Sequence, residues 1–301
     1  MPPLTIHGVT HTPVNFDMPR NACDCHVHVF GPDERFPFSP HRAYTPGPAS
    51  IEELVALHSA LGIDRVVIVH PSPYGADNAV TIDALRVLGP RARGVAVIDE
   101  TITDAMLTDM DKAGARGVRV NLETAGESNP AVARQQLQWA AARVKPLGWH
   151  VQVFARLSVI ATLRDTIMAL PTTLVIDHFG KADAARGPDQ PGLDVIYALL
   201  TSGKGYVKIS GAYRISQAPD FSDAAPLARA MIAANPDRIV WGSDWPHPGG
   251  GHGRQAHDLA TAEPFIPIDD GAALNRLAQW CNSRATLEKI LVANPERLYG
   301  F

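Results

Sequence analysis

A (β/α)8 barrel is the fold class this sequence predicts, and three observations predict it. Eight short β-branched runs recur along the 301 residues. Helical stretches that stop at glycine or proline separate them. Polar side chains suited to moving protons or holding a metal stand where the runs end, and active sites of barrels lie at the carboxyl ends of the strands. In order, the runs are 22–29, 65–70, 94–99, 117–121, 150–154, 173–178, 206–210 and 238–242. They are short and mostly apolar, as parallel strands buried on both faces must be. The helices between them are 50–61, 78–88, 104–113, 130–144, 158–169, 192–202 and 224–234. The first opens with Ser50 and Glu53, a capping-box spacing, and stops at Gly62. Gly89-Pro90, Gly114, Pro146, Pro171, Gly203 and Pro236 close the others. Helices at 271–281 and 283–292 and an extended arm over 1–20 complete one domain spanning 1–301. A doubly wound open sheet is the alternative. It would separate the first and last strands, and no Gly-x-Gly-x-x-Gly turn follows the first run.

Composition limits the partners. A hydrophobic content of 46% and a charged content of 19% fit a soluble globular enzyme, and a net charge of -4 argues against nucleic acid or an anionic membrane as partner. No apolar run approaches the roughly 20 residues of a membrane span. The first twenty residues lack a signal-peptide layout and carry four prolines, Pro2, Pro3, Pro13 and Pro19. Three cysteines, an odd number, fit a reducing compartment and hence the cytoplasm. Cys23 and Cys25 read as small buried strand residues. The oligomeric state is not written in the sequence.

Two segments more than two hundred residues apart look like halves of one site: Cys23-Asp24-Cys25-His26-Val27-His28 and Val240-Trp241-Gly242-Ser243-Asp244-Trp245-Pro246-His247. Residues two apart on a strand point the same way, so His26 and His28 project together. Closing the ring of strands sets Asp244 beside them. The other strand ends offer His70 and Ser72, Asp99 and Glu100, Arg119 and Asn121, Gln152, Asp177 and His178, then Ser210 and Arg214, and His247. One Asp with His26, His28 and His178 at one rim supports either a metal-bound hydroxide or metal-free hydrolysis with a carboxylate base and carbonyl-polarising imidazoles. Structural alternatives stand beside these readings. His26 and His28 could be a satisfied buried pair, Asp244 a turn residue and His178 a core histidine. Arg119, ending an apolar strand, needs an anion: a structural ion pair or a substrate carboxylate. Arg214 has the same two readings. Lys181 and Tyr44 are surface or site residues, and His70 is a core histidine or a site residue. His41, His58, His252 and His257 read as solvated, Trp241 and Trp245 as core and wall. The loop 180–191, rich in charge, Gly and Pro, reads as a mobile lip.

His26-x-His28, Asp177-His178-Phe179-Gly180, Gly242-Ser243-Asp244-Trp245-Pro246 and Asn294-Pro295-Glu296-Arg297-Leu298-Tyr299-Gly300, in that order, resemble the amidohydrolase superfamily, in particular the amidohydrolase 2 group. With Lys208-Ile209-Ser210-Gly211-Ala212-Tyr213-Arg214 the resemblance is to the branch of 2-pyrone-4,6-dicarboxylate lactonases and related lactonases. It implies a barrel hydrolase that opens a small anionic lactone, in aromatic or sugar-acid breakdown. Asp244 would activate water, and His26, His28 and His178 would polarise the carbonyl. Tyr44, Ser72, Arg119, Lys181, Arg214 and His247 would contact the substrate or its carboxylates. The superfamily usually binds zinc through His-x-His, a fourth- or fifth-strand ligand and the eighth-strand Asp. Here the fifth strand offers Gln152, His150 starts that strand at the wrong end, and Arg119 opposes a cation, so no metal is expected. A divalent ion, if held, falls to His26, His28 and Asp244. Lys181 stands where the branch leads one to expect arginine, and Gly249 where it leads one to expect asparagine. A lysine lacks the bidentate fork, which bears on the pyrone dicarboxylate itself more than on a small anionic lactone; a hydrolase like the 2-pyrone-4,6-dicarboxylate lactonases stays the first expectation. The rival enzyme readings are a sulfomuconolactone hydrolase, a sugar-acid lactone isomerase and a zinc-dependent decarboxylase. A rival of another class is a non-catalytic binder of an anionic metabolite.

Overall fold

The computed structural model describes residues 4–250 and 259–301; His252 and His257 lie outside the described residues. The chain opens with a two-stranded hairpin, β1 (Thr5–Ile6) and β2 (Val9–Thr10), turned through His7 and Gly8, both at positive φ. The expected extended arm is thus partly a hairpin. Its continuation is tied down: the Thr12 amide donates to Asp269 and the Asn15 amide to Asn275, each at 2.9 Å.

Eight parallel strands follow: β3 (Cys23–Val27), β4 (Arg65–Val69), β5 (Ala92–Ala96), β6 (Ala115–Asn121), β7 (His150–Phe154), β8 (Leu174–Ile176), β9 (Gly205–Ser210) and β10 (Ile239–Gly242). Each pairs with the next in chain order. The ring closes just past β10. The Asp244 amide donates to the His26 carbonyl and the His28 amide to the Trp245 carbonyl, both at 2.8 Å. The barrel is the one the run pattern predicts. The third strand begins and ends earlier than expected. Asp99 and Glu100 therefore lie beyond it, exposed, and Asp99 bonds its neighbour Thr101.

The crossovers are α1 (Ile51–Leu61), α2 (Ala79–Leu88), α3 (Asp104–Ala113), α4 (Pro130–Val144), the pair α5 (Leu157–Thr162) and α6 (Arg164–Ala169), α7 (Leu193–Ser202) and α8 (Ala224–Ala234). Ser50 and Glu53 form the capping box, and Gly62 ends α1 in the left-handed region. The single expected helix over 158–169 is broken at Leu163, which leaves helical geometry. After β10 come α9 (Asp270–Trp280), α10 (Arg284–Glu288) and, past a π-helical turn over Lys289–Ala293, α11 (Asn294–Tyr299). Tyr299 plugs the floor of the barrel among Cys23, Val67, Val95 and Val240. His150 sits on that floor, its ring 5.3 Å from Tyr299.

One irregularity aims the site. Cys23 and Cys25 belong to the inner cluster, so simple alternation would send His26 and His28 outward. Between the pairs Asp24–Val66 and Val27–Ile68 the register shifts, and Cys25 and His26 stand opposite Val67 alone. This bulge reverses the parity: Val27 joins the outer core under the helices, and the two imidazoles turn in. Asp24 holds the bulge. Its Oδ1 accepts from the amides of His26 (3.2 Å) and Ser243 (2.9 Å), and its Oδ2 lies 3.4 Å from His58 Nε2 on α1. His58 is therefore buried rather than solvated, because Asp24 needs a partner beneath the helix.

Candidate active site

The inward residues of the upper layer converge on Asp244, which is fully buried. Its Oδ2 accepts from Tyr213 Oη (2.7 Å) and from Arg214 Nε. Its Oδ1 makes no hydrogen bond among the described residues. That oxygen faces His28 Nε2 at 3.6 Å and His26 Nε2 at 3.7 Å, and His178 Nδ1 lies 3.9 Å from Oδ2. The rings are packed together, with centroids 5.0 Å apart for His26 and His28 and 4.6 Å for His26 and His178. Burial alone would raise the Asp244 carboxyl. The Arg214 guanidinium, then His178, outweigh it and hold the carboxyl well below the usual carboxylate range. Burial lowers all three imidazoles, and with the Lys208 ammonium it takes His26 down to about 3. The resting site is therefore a carboxylate among neutral rings.

The tautomer of one ring follows from its contacts. His28 Nδ1 lies 2.8 Å from the Val69 carbonyl oxygen, so Nδ1 carries the proton and Nε2 presents a lone pair toward Asp244 Oδ1. Two acceptors facing each other call for a donor between them. A water with two O–H bonds fits, and so does a cation. His178 Nδ1 pairs with Ser210 Oγ at 2.9 Å, and its Nε2 has no partner among the described residues.

The backbone is bent to make this approach. Among the described residues, five of the eight non-glycine residues at positive φ, His178, Phe179, Lys181, Asp244 and His247, are in the two loops that build the site. Each such position costs about 1 kcal/mol or more, which the surrounding structure must offset. At Gly211 (φ 57°), a Cβ would come within 2.9 Å of Asp244 Oδ2 and 3.2 Å of His178 Nδ1. The backbone there must be bare for Asp244 and His178 to meet.

Of the six residues expected to touch substrate, Arg214 bonds the Asp244 carboxylate and Arg119 bonds Asp177 beside His26. Arg119 donates from Nε to Asp177 Oδ2 at 2.9 Å and lies 5.0 Å above the Phe154 ring. It makes the ion pair that an arginine there requires, using Nε alone. Tyr44 is buried against Ser72, within the field of Arg214 and Arg119. Lys181 is set further out. Its Nζ is 3.8 Å from Glu123 and 3.4 Å from the Arg214 carbonyl oxygen, at the edge of a cleft of about 690 Å³ lined also by Arg156, Arg186 and Gln190. Gln190 pins that loop, exchanging hydrogen bonds of 2.8 and 2.9 Å with Asp183, so the segment read as a mobile lip is an organised wall. His247 is buried with Nε2 3.2 Å from Asp270 Oδ2 and its ring edge-on to Tyr213. His70 is a satisfied core histidine. Nδ1 meets Thr81 Oγ1 at 2.8 Å and Nε2 the Gly75 carbonyl at 3.1 Å.

Four participants were given no role from sequence: Tyr213 and Lys208 stood only within a quoted segment, Asp177 and Gln152 only among the polar strand ends. Gln152 donates to Asp177 Oδ2 at 3.0 Å and accepts from Lys208 Nζ at 2.7 Å. A fully buried lysine two residues before Ser210 on an apolar strand is the signal that could have found this network.

His26, His28 and Asp244 place one ligand atom each within 4.8 Å of one another, as do His26, Asp177 and His178. The unpartnered His26 Nε2 and Asp244 Oδ1 and the lone pair of His28 Nε2 fit a single divalent ion. A second ion is opposed by Lys208 and Arg119 at Asp177.

A family model described as amidohydrolase matches residues 23–301. The 4-sulfomuconolactone hydrolase of Hydrogenophaga intermedia is 37% identical over 292 residues, 96% of this chain and 91% of that protein. The 2-pyrone-4,6-dicarboxylate hydrolase of Comamonas testosteroni is 35% identical over 295 residues, 94% of this chain and 92% of that one. Among solved structures, an apo protein of Agrobacterium tumefaciens superposes with a TM-score of 0.78 at 27% identity, covering 96% of this chain and 98% of the other.

Proposed function

The chain belongs to the amidohydrolase family, and from that premise we propose that it is a lactone hydrolase opening a small ring that carries an acidic group. One observation carries the reading: a buried carboxylate with one tied and one untied oxygen, ringed by neutral imidazoles and flanked by two guanidiniums. Water donates to Asp244 Oδ1 and His28 Nε2. The lactone carbonyl is polarised by His26 and His178, and Arg119, Arg214, Tyr44 and Ser72 receive the acidic group. The water oxygen adds to the carbonyl carbon as its proton passes to Asp244. The ring C–O bond then breaks, and the ring oxygen takes that proton from Asp244, leaving a hydroxy acid and the carboxylate restored. Tyr213 and Arg214 fix the far oxygen of Asp244 and keep it ionised between turnovers. Lys181 at the cleft edge and His247, buried beside Tyr213, contact the rest of the substrate.

A divalent ion, when bound, would be held by His26, His28 and Asp244 and would polarise the carbonyl as a Lewis acid. Our reading is that turnover does not need it, since Arg214 and Lys208 already set positive charge on either side of the cluster. The named relatives support the ester-ring chemistry and leave the ring open, since a sulfonated and a dicarboxylated lactone both appear among them. A single domain over 1–301 in the cytoplasm belongs to the same proposal. Among the described residues no helix is long and apolar enough to cross a membrane.

The test is a panel of carboxylated and sulfonated lactones, followed by loss of the ring chromophore, before and after dialysis against a chelator. Turnover of at least one anionic lactone, unchanged by dialysis, is expected. No turnover of any sinks the reading, and a loss reversed by zinc overturns its metal-free part.

A further inference from the structure

Lys208 lies inside the barrel on β9, with no exposed surface. An ammonium has three donors and no acceptor. One goes to the Cys25 carbonyl at 2.8 Å and one to Gln152 Oε1 at 2.7 Å. Gln152 has no freedom to flip, because its Nε2 is held by Asp177 Oδ2. The third donor points to His26 Nδ1 at 3.4 Å. Asp177 Oδ1 is also 3.4 Å from that nitrogen and is the competing acceptor, the one that would hold a proton on Nδ1 once Lys208 is removed. A proton on His26 Nδ1 would face the ammonium donor to donor. A lone pair there satisfies it and leaves the proton on Nε2, the nitrogen aimed at Asp244 and the reacting carbonyl.

We propose that Lys208 is a positioning residue that selects the Nε2-protonated tautomer of His26, making the rim a hydrogen-bond donor to the oxyanion rather than a ligand to metal. A metal at His26 Nε2 needs the lone pair on that atom. The proton must then move to Nδ1, against Lys208. One buried lysine thus sets both the donor at the rim and the preference against an ion. The inference rests on the hydrolytic reading for its meaning, though its tests need no substrate.

In ¹⁵N-labelled protein, long-range ¹H–¹⁵N correlation reports the tautomer of each histidine, and comparison with His26→Gln identifies the His26 ring. A neutral ring protonated on Nε2 is expected; a proton on Nδ1 overturns the proposal. In Lys208→Met the proton should move to Nδ1, and calorimetric titration with zinc should show affinity at least tenfold above the parent protein. A folded Lys208→Met with unchanged tautomer and zinc affinity also overturns it. Should that variant not fold, the spectrum of the parent protein decides. Absent lactone turnover with an Nε2-protonated His26 would sink the proposed activity and leave this inference standing; the opposite pair of results would do the reverse.

Discussion

His26 and His70 are both buried, each on or just beyond an inner strand, and burial holds each ring down to about 3. They differ in what their nitrogens meet. Both nitrogens of His70 are bonded, to Thr81 and Gly75. His26 keeps Nε2 unpartnered and aimed at an equally unpartnered carboxylate oxygen. A perturbed pKa therefore does not separate the core histidine from the one proposed to act. Unused hydrogen-bonding capacity, converging from several strands, does.

The sharpest way to break this contrast is to remove the carboxylate that His26 faces. Asp244→Ala should lower kcat on the best lactone by a factor on the order of 10³ or more, while calorimetry still detects an unreactive anionic analogue. Preserved turnover would return the cluster to the status of His70. Next in size is Arg119→Met. If the guanidinium holds the substrate's acidic group, KM should rise about tenfold to a hundredfold, the worth of a charged hydrogen bond. Unchanged KM with a lower Tm would leave Arg119 only its ion pair with Asp177.

The third expectation joins the two histidines instead of separating them. His26, His70 and His150 are all held at about 3 by burial, whereas in the unfolded chain each protonates near ~6.5. The unfolded state then binds more protons below that pH. Stability should fall as pH drops from ~6.5, by roughly 1 kcal/mol per pH unit for each ring. Asp177 and Asp244, held below the usual range with burial opposed by His26 and Arg119 at one and by Arg214 and His178 at the other, act with the same sign below about pH 4. Their contribution is present above the unfolded carboxyl pKa and lost beneath it. A Tm independent of pH between 7 and 5 would contradict neutral buried imidazoles. The smallest effect on activity belongs to His70→Leu: kcat/KM within about threefold of the parent, with roughly 1–3 kcal/mol lost in denaturant unfolding because Thr81 and the Gly75 carbonyl lose their partner. A large loss of turnover there would erase the distinction.

Much of the architecture was legible because it is local. Alternating apolar runs, the Ser50–Glu53 box and glycine stops at 62, 114 and 203 act over a few residues, and the observed elements match them closely. The pairing of His26 and His28 with Asp244 was legible too, since an eight-stranded ring has to join its ends. The strand-end rule carried less well where ends were misjudged, as at Asp99. It also passed over Lys208, which sits in mid-strand.

By itself, then, the sequence determined eight strands, their order and the two segments that meet at closure, all consequences of short-range periodicity and capping. Tertiary structure alone decided which way the imidazoles face and which partners they keep. The bulge at Cys25 and His26 depends on Asp24 reaching the Ser243 amide, and the state of His26 depends on Lys208, each close in space yet some two hundred residues distant along the chain. Such contacts exist only after the barrel has closed, and no pattern along a strand encodes them.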